Sequence, residues 1–196
     1  MSAAERMSNL IKDILSFSSI KRKEQFTSTD LNRVLQSVLQ DLDLLINQNK
    51  AQVTFERLPV IEAIPLQMTQ LFYNLLNNSL KFVNDKDSPI ISIKCRVLNL
   101  DEKKELMLIE NNTYYEIVIK DNGIGFDPEY VDQIFGLFKR LNDKQSYPGS
   151  GIGLALCKKV MDNHHGLIYA KSTENEGASF YVVLPEKQGG IKSVSQ

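Results

Sequence analysis

The chain has 196 residues, of which 42% are hydrophobic and 24% are charged. This length and composition suffice for one large domain with a hydrophobic core, and they exclude a disulfide-stabilised mini-protein. The 23 basic and 24 acidic residues give a formal net charge of −1, so no bulk positive field attracts nucleic acid or an anionic membrane, and any phosphate must be bound locally. Cys95 and Cys157 lack metal-ligand spacing, and no signal peptide or long apolar run is present, so we expect a cytoplasmic protein segment that does not insert into a membrane.

Residues 1–22 predict an amphipathic helix, because Met7, Leu10, Ile14 and Phe17 recur at alternating steps of three and four. A single helix cannot bury such a stripe alone. The stripe therefore predicts a partner helix, from another chain or an upstream segment, with docking onto this chain's own core as the alternative.

The pattern from about residue 25 onward predicts a globular domain. Thr29 or Asp30 can cap a helix that runs to about Asn47, and Pro65 fits the first turn of a second helix that runs to about Val83. Short strands are predicted at 52–57, 90–98, 114–120, 167–172 and 178–184, with a charged hairpin or insertion after the second, a glycine-bounded loop at 121–150 and a helix at 152–164. This order favours an α+β fold, a two-layer sandwich with helices on one face of a mixed sheet. We assign residues 23–186 to this domain and 187–196 to a flexible tail.

Three polar residues, Asn74, Asn78 and Lys81, fall on one stripe of the second predicted helix, away from its apolar arc. Amide oxygens are hard, neutral ligands suited to Mg²⁺, and a nearby lysine can neutralise phosphates. The stripe thus indicates a site for a metal-bound phosphate. A solvated polar face is the alternative.

The segment EIVIKDNGIGF places Asp121 at the end of a predicted strand, followed by Gly123 and Gly125. A carboxylate at the floor of a pocket can accept a hydrogen bond from the exocyclic amine of adenine, whereas guanine would present a carbonyl. A simple Asp-Asn-Gly turn is the alternative, although it does not require the second glycine.

Three alternate glycines, Gly149, Gly151 and Gly153, lead into the helix at 152–164. Small residues at a helix N-terminus allow its free N–H groups to meet phosphate. The preceding segment, FGLFKRLNDKQSY, mixes apolar anchors with cations, which suits a lid over a nucleotide. An amphipathic turn is the alternative for that segment.

The motif order NLLNNSLKF, DNGIGF, IFGLFKRL, GSGIGLALCKK and NEGASF resembles the N box, first glycine box, F box, second glycine box and final glycine box of the ATP-binding domain of bacterial sensor histidine kinases. These enzymes belong to the GHKL ATPase superfamily, whose Bergerat fold is a two-layer sandwich. The resemblance covers about residues 5–185. Residues 1–22 are similar to the second helix of the dimerisation and phosphotransfer hairpin, and RL…YPGSGIGL is similar to the phytochrome-like, PAS-linked branch.

This resemblance implies a role for each matched residue. Asn78 is expected to bind Mg²⁺, while Asn74 takes the position of the catalytic glutamate of other GHKL ATPases. Lys81 would contact phosphate, Phe82 would lie beside adenine, and Asp121 would bind the adenine amine. The other residues expected at the nucleotide are Gly123, Gly125, Arg140, Lys144, Gly149, Gly151, Gly153 and Leu154.

The resemblance has one departure, because the family's phosphoacceptor histidine, with its acidic neighbour, is missing. The chain's only histidines, His164 and His165, lie far downstream, where we expect helix-end residues. We therefore expect no catalytic acceptor or base in this chain, which would be a piece of a longer, homodimeric sensor kinase, either a soluble one or the cytoplasmic part of a membrane-bound one. It would pass the γ-phosphoryl group of Mg²⁺-ATP to a histidine on the hairpin, for relay to a response regulator. The alternatives are an ATP-hydrolysing GHKL ATPase, which Asn74 disfavours, and a nucleotide-binding or interaction module without kinase activity.

Overall fold

The structure is a computed structural model that describes residues 25–83, 88–141 and 150–188. The predicted helix over residues 1–22 lies outside the described residues, as do Lys144, Gly149 and most of the predicted tail. The domain boundaries assigned near residues 22 and 187 therefore stay predictions. No helix in the described part of the chain is long and apolar enough to cross a membrane.

The described residues form five helices, seven strands and one 3₁₀ turn. The helices are α1 (Leu31–Asp41), α2 (Asp43–Gln48), α3 (Pro65–Lys81), α4 (Leu100–Glu105) and α5 (Gly153–Asn163). The strands are β1 (Thr27–Asp30), β2 (Gln52–Phe55), β3 (Val60–Ala63), β4 (Ile90–Val97), β5 (Tyr114–Asp121), β6 (Leu167–Thr173) and β7 (Gly177–Pro185). The 3₁₀ turn is Pro128–Tyr130.

Five strands form one mixed sheet in the order β2-β4-β5-β7-β6, in which β2 and β4 are parallel and the other pairs are antiparallel. The central helix α3 packs between α1 and α5 on one face of this sheet. Alternation along β5 directs Ile117 and Ile119 into the core between the two layers. The predicted α+β class and two-layer sandwich are confirmed.

Several local predictions needed correction. Asp30 caps α1 as expected, since its carboxylate accepts a hydrogen bond from the Asn32 N–H at 2.9 Å. The single helix predicted to Asn47 is instead two helices, because the chain turns at Leu42. Strands β1 and β3 were not predicted; they are only four residues long and pair with each other as an antiparallel ribbon.

The charged segment LDEKKE, predicted as a hairpin or insertion, is the short helix α4. A capping box begins this helix. The side chain of Asn99 accepts from the Glu102 N–H at 2.9 Å, and the Glu102 carboxylate accepts from the Asn99 N–H at 2.8 Å. The two reciprocal hydrogen bonds explain why so short a polar segment is helical.

The two histidines at the end of α5 have different environments. His164 is fully buried: its Nε2 accepts from the Ile64 N–H at 3.0 Å, and its Nδ1 lies 2.8 Å from the Val160 carbonyl, which can only accept. The edge of the Phe26 ring packs against the imidazole, with ring centroids 5.2 Å apart. His165 is exposed and has a left-handed φ of 51°. His164 thus joins the end of α5 to the segment that enters α3.

We expect His164→Ala to lower the free energy of unfolding by about 2–4 kcal/mol, because it leaves a buried backbone N–H unpaired and opens a cavity. His165→Ala is the matched control, for which we expect a change below about 0.5 kcal/mol because the side chain is exposed. Urea unfolding followed by circular dichroism measures both. Equal losses in the two variants would contradict the structural role of His164.

Candidate functional site

Asn74, the first residue of the predicted polar stripe of α3, faces the beginning of α5. Asn74, Asn78 and Lys81 are each half-buried along α3. The Asn74 amide donates to the Gln70 carbonyl at 2.7 Å, and a Cβ on Gly153 would lie only 2.8 Å from Asn74 Oδ1. The N-terminus of α5 therefore sits directly against the amide of Asn74, and a side chain at position 153 would displace one of them.

The carboxylate of Asp121 lies at the end of β5 and is buried, with 7% of the residue exposed. Its Oδ1 accepts hydrogen bonds from the Gly123 N–H at 2.9 Å and the Ala178 N–H at 3.1 Å. Its Oδ2 accepts from the Ser79 hydroxyl at 3.0 Å. Three separate segments of the chain thus hold one side chain in place.

These bonds determine what Asp121 can do chemically. Burial raises the pKa of the Asp121 carboxyl, while the hydrogen bonds from Gly123, Ala178 and Ser79 act in the opposite direction. A carboxylate offers about four lone-pair directions, and these three donors leave one of them, on Oδ2. The site can therefore accept one further hydrogen bond from a ligand, at a fixed position.

Ser79 is a site residue that the sequence analysis did not single out. It follows Asn78 directly, and it lies on the buried side of α3 with 2% of the residue exposed. A hydroxyl on the apolar arc of a helix needs an internal partner. The need for such a partner could have drawn attention to Ser79 in the sequence, but only the fold identifies the partner as Asp121.

Two glycines are required because the backbone approaches itself closely around Asp121. A Cβ on Gly123 would lie 2.2 Å from the Phe82 carbonyl oxygen, which accepts from the Ile124 N–H at 2.9 Å. Gly177 has a φ of +98°, and its Cβ would lie 2.1 Å from the Asp121 carbonyl oxygen. The loop after β5 and the start of β7 can therefore pack closely around the Asp121 carboxylate because positions 123 and 177 have no side chain.

Two cations, Lys81 and Arg140, lie near enough at the other end of the site for their charges to interact. Burial and, to a lesser extent, the charge of Arg140 lower the pKa of Lys81. The Lys81 ammonium lies 4.4 Å from the centre of the Phe82 ring. The segment that carries Arg140 packs on Gly151, whose φ is +74° and whose Cβ would lie 2.9 Å from the Lys139 carbonyl oxygen. Two like charges held near each other would favour a bound anion.

Most of the predicted site residues thus come from four places: the C-terminal half of α3, the end of β5 with the loop after it, the start of α5 with Gly151 before it, and the segment that carries Arg140. Leu154 differs, because its side chain is partly buried against the hydrophobic core. The roles of these residues stay predictions, and Lys144 and Gly149 lie outside the described residues. The residues brought together are Asn74, Asn78, Lys81, Phe82, Asp121, Gly123, Gly125, Arg140, Gly151 and Gly153.

Comparison with known families gives one match, over residues 63–188, to the histidine kinase-, DNA gyrase B- and HSP90-like ATPases. The phytochrome-like protein Cph1 of Synechocystis sp. is 34% identical over 180 residues, which are 91% of this chain and 22% of Cph1. The sensor protein kinase WalK of Staphylococcus saprophyticus is 30% identical over 193 residues, 92% of this chain and 28% of WalK. The chain thus spans about a quarter of the length of these relatives.

Solved structures share the fold at lower sequence identity. Full-length ShkA in complex with AMPPNP has a TM-score of 0.72 and 18% identity, over 92% of this chain and 36% of that chain. The histidine kinase ThkA in complex with the response regulator protein TrrA has a TM-score of 0.68 and 19% identity, over 94% and 48%. At these identities the likeness establishes the fold alone.

We expect Gly177→Ala to lower the free energy of unfolding by about 2 kcal/mol or more, because the new Cβ meets the backbone of Asp121 at a positive φ. Gly136→Ala is the matched control: its Cβ would meet the flexible Lys139 side chain at 2.9 Å and the Gln133 carbonyl oxygen at 3.1 Å, and its φ is not positive. We expect it to cost less than about 1 kcal/mol. Chemical denaturation compares the variants, and a small loss for Gly177→Ala would contradict the close approach.

Proposed function

The chain belongs to the family of histidine kinase-, DNA gyrase B- and HSP90-like ATPases and carries its ATP-binding domain, and on this premise we propose that it is the catalytic part of a sensor histidine kinase. In this proposal it binds Mg²⁺-ATP and transfers the γ-phosphoryl group to a histidine on the dimerisation hairpin of a longer, homodimeric protein. A response regulator then receives the phosphoryl group. The resemblance of the chain to WalK and Cph1 supports this assignment.

The nucleotide assignment rests on Asp121, because its Oδ2 has one lone pair that the three protein donors do not use. Adenine presents an exocyclic amine that can donate to it, whereas guanine presents a carbonyl at the same position and would leave two acceptors unpaired. The donors Gly123, Ala178 and Ser79 fix the carboxylate beforehand, so little reorganisation is needed on binding.

The residues around α3 fit a Mg²⁺-bound triphosphate. Asn78 would hold the cation through its amide oxygen, and Lys81 and Arg140 would contact the phosphates. Among the described residues no group of three or more His, Cys, Asp or Glu could hold a metal ion, which suits a cation that takes its other oxygens from phosphate and water. Bound Mg²⁺ would neutralise charge that develops on the phosphates during transfer.

Transfer requires an acceptor outside this sequence. Among its histidines, His164 is fully buried with both ring nitrogens hydrogen-bonded, and His165 follows it at the far end of α5. Asn74 cannot act as a general base for water, since an amide does not accept a proton near neutral pH. The chain's own contribution is therefore to bind, orient and shield the nucleotide, and we place it in the cytoplasm, where ATP is available.

We expect ATP to bind at least about tenfold more tightly than GTP, because misplacing a guanine carbonyl at Asp121 costs about 1–3 kcal/mol. Asp121→Asn should abolish this preference, since an amide group facing the base donates rather than accepts. Titration calorimetry measures both affinities. Asp132→Asn, an exposed carboxyl, is the control that should bind like the native chain. Equal affinities for ATP and GTP in the native chain would refute the adenine assignment.

We expect γ-labelled ATP to leave this chain unlabelled and to label a separate hairpin fragment that carries the acceptor histidine. Gly153→Val should prevent that labelling, because its Cβ would meet Asn74 Oδ1 at 2.8 Å and displace the amide of Asn74 from the site. Asp43→Asn, at an exposed position on α2 away from the site, serves as the folded control.

The same assay separates the alternatives. Steady phosphate release without a hairpin would favour an ATP-hydrolysing enzyme, and nucleotide binding with neither labelling nor release would favour an interaction module. Acid-labile label on the chain alone that disappears in His165→Gln would refute an acceptor outside the chain.

A further inference from the structure

The face of the sheet turned away from α1, α3 and α5, here called the outer face, carries an excess of positive charge on its strands. By register, Lys120, Ser179 and Lys171 form one row across β5, β7 and β6, and Lys94 lies on β4 in the next row. All three lysines are exposed. Within the described ranges, none of their ammonium groups has a carboxylate within 4.0 Å. The outer face therefore holds three cations without ion-pair partners there, in a chain whose net charge is −1.

The carboxylate on the strands of this face is already neutralised. Glu116 is buried at 3% exposure, and its Oε1 accepts from Arg96 Nε at 2.7 Å while its Oε2 accepts from the Tyr169 hydroxyl at 2.7 Å. Arg96 also pairs with Glu102 of α4. Because these groups are occupied with one another, Glu116 does not offset the lysines.

The floor between the lysines consists of aromatic and aliphatic side chains. Tyr169 and Tyr181 are direct neighbours in register and stack with centroids 4.7 Å apart and planes 4° apart. The Lys171 ammonium lies 5.4 Å from the centre of the Tyr181 ring. Val118 continues the floor on β5. A partner would thus meet an ordered aromatic and aliphatic surface bounded by cations.

We propose that the outer face binds an acidic segment of a partner protein in an extended conformation. Lys94 and Lys120 lie diagonally on adjacent strands, about 7–8 Å apart at Cα, and alternate side chains of an extended segment are about 7 Å apart. Lys171 is two strands from Lys120, about 10 Å away. Carboxylates at alternate positions of such a segment can each meet a lysine, while the residues between them contact the tyrosine floor.

The observations favour this occupant over two others. Base stacking needs free ring faces, and here the tyrosines stack on each other with Lys171 near Tyr181, which disfavours single-stranded nucleic acid. Insertion into a lipid surface needs projecting apolar side chains, whereas Val118, Tyr169 and Tyr181 are half-buried. Charge complementarity to carboxylates remains the strongest feature of the face.

The test uses the whole chain without nucleotide and a fluorescent peptide of about a dozen residues that alternates glutamate and threonine. We expect Lys94→Glu/Lys120→Glu/Lys171→Glu to weaken binding at least about tenfold, and rising salt to weaken binding to the native chain. The matched control is Lys50→Glu/Arg57→Glu/Lys187→Glu, which changes the net charge equally at exposed positions elsewhere. It should weaken binding less than about threefold. Unchanged melting temperatures would show that both variants are folded.

Carbodiimide coupling of the same peptide, followed by mass spectrometry, locates the contact independently of affinity. Cross-links at Lys94, Lys120 or Lys171 support the proposal. Cross-links confined to other lysines, or equal weakening in the two charge variants, would overturn it. Tighter binding to phosphatidylserine vesicles or to oligothymidine than to the peptide would also overturn it. None of these outcomes depends on nucleotide binding, so they are distinct from a failure of the proposed function.

Discussion

The buried carboxylate of Asp121 is the constraint on which the rest of the site depends. An ionised carboxylate at 7% exposure is unfavourable unless hydrogen-bond donors surround it. Donors come from the loop after β5, the start of β7 and helix α3, so the two layers of the fold and the last hairpin all meet at this one side chain. The same constraint explains why positions 123 and 177 are glycines. To supply those donors, the backbone at both positions lies so close to neighbouring carbonyl oxygens that a Cβ would not fit. The residue proposed to bind adenine therefore also fixes the relative positions of the elements around it.

Alternation along β5 gives the sheet two chemically different faces. Ile117, Ile119 and Asp121 point toward the helices, while Glu116, Val118 and Lys120 point away from them. The first set builds the core and ends in the proposed nucleotide site, and the second set belongs to the outer face. Because the register of β5 is fixed by the buried isoleucines, neither face can shift without the other. A nucleotide on the helix side and a protein segment on the outer face would thus contact opposite sides of one rigid strand.

The sequence predicted those features that arise from local periodicity. The long apolar arc of α3, the alternation of β5 and the glycine spacing after it were sufficient for the two-layer class and for grouping Asn74, Asn78 and Lys81. The family resemblance, rather than periodicity, placed Asp121 in the same site. Features set by tertiary pairing were not predicted: β1 and β3 exist as strands only because they pair with each other, and the turn at Leu42 interrupts a continuous apolar pattern. Ser79 was missed for the same reason, since its partner Asp121 is 42 residues away in sequence. Only the fold shows which buried hydroxyl meets which carboxylate.

The environment of Asn74 favours transfer of a phosphoryl group to a protein acceptor over hydrolysis of ATP by water. Its amide N–H is committed to the Gln70 carbonyl, so its oxygen faces the start of α5 at Gly153, on the side where Lys81 and Arg140 would hold the phosphates. An amide oxygen there can position a water or a phosphate, but it cannot remove a proton from a water nucleophile. Among the described residues the one carboxylate in the proposed site is Asp121, whose burial and three protein hydrogen bonds hold it at the end where we propose that adenine binds. The general base must then arrive with the acceptor, so ATP bound in this site would persist until a phosphoacceptor hairpin docks against it.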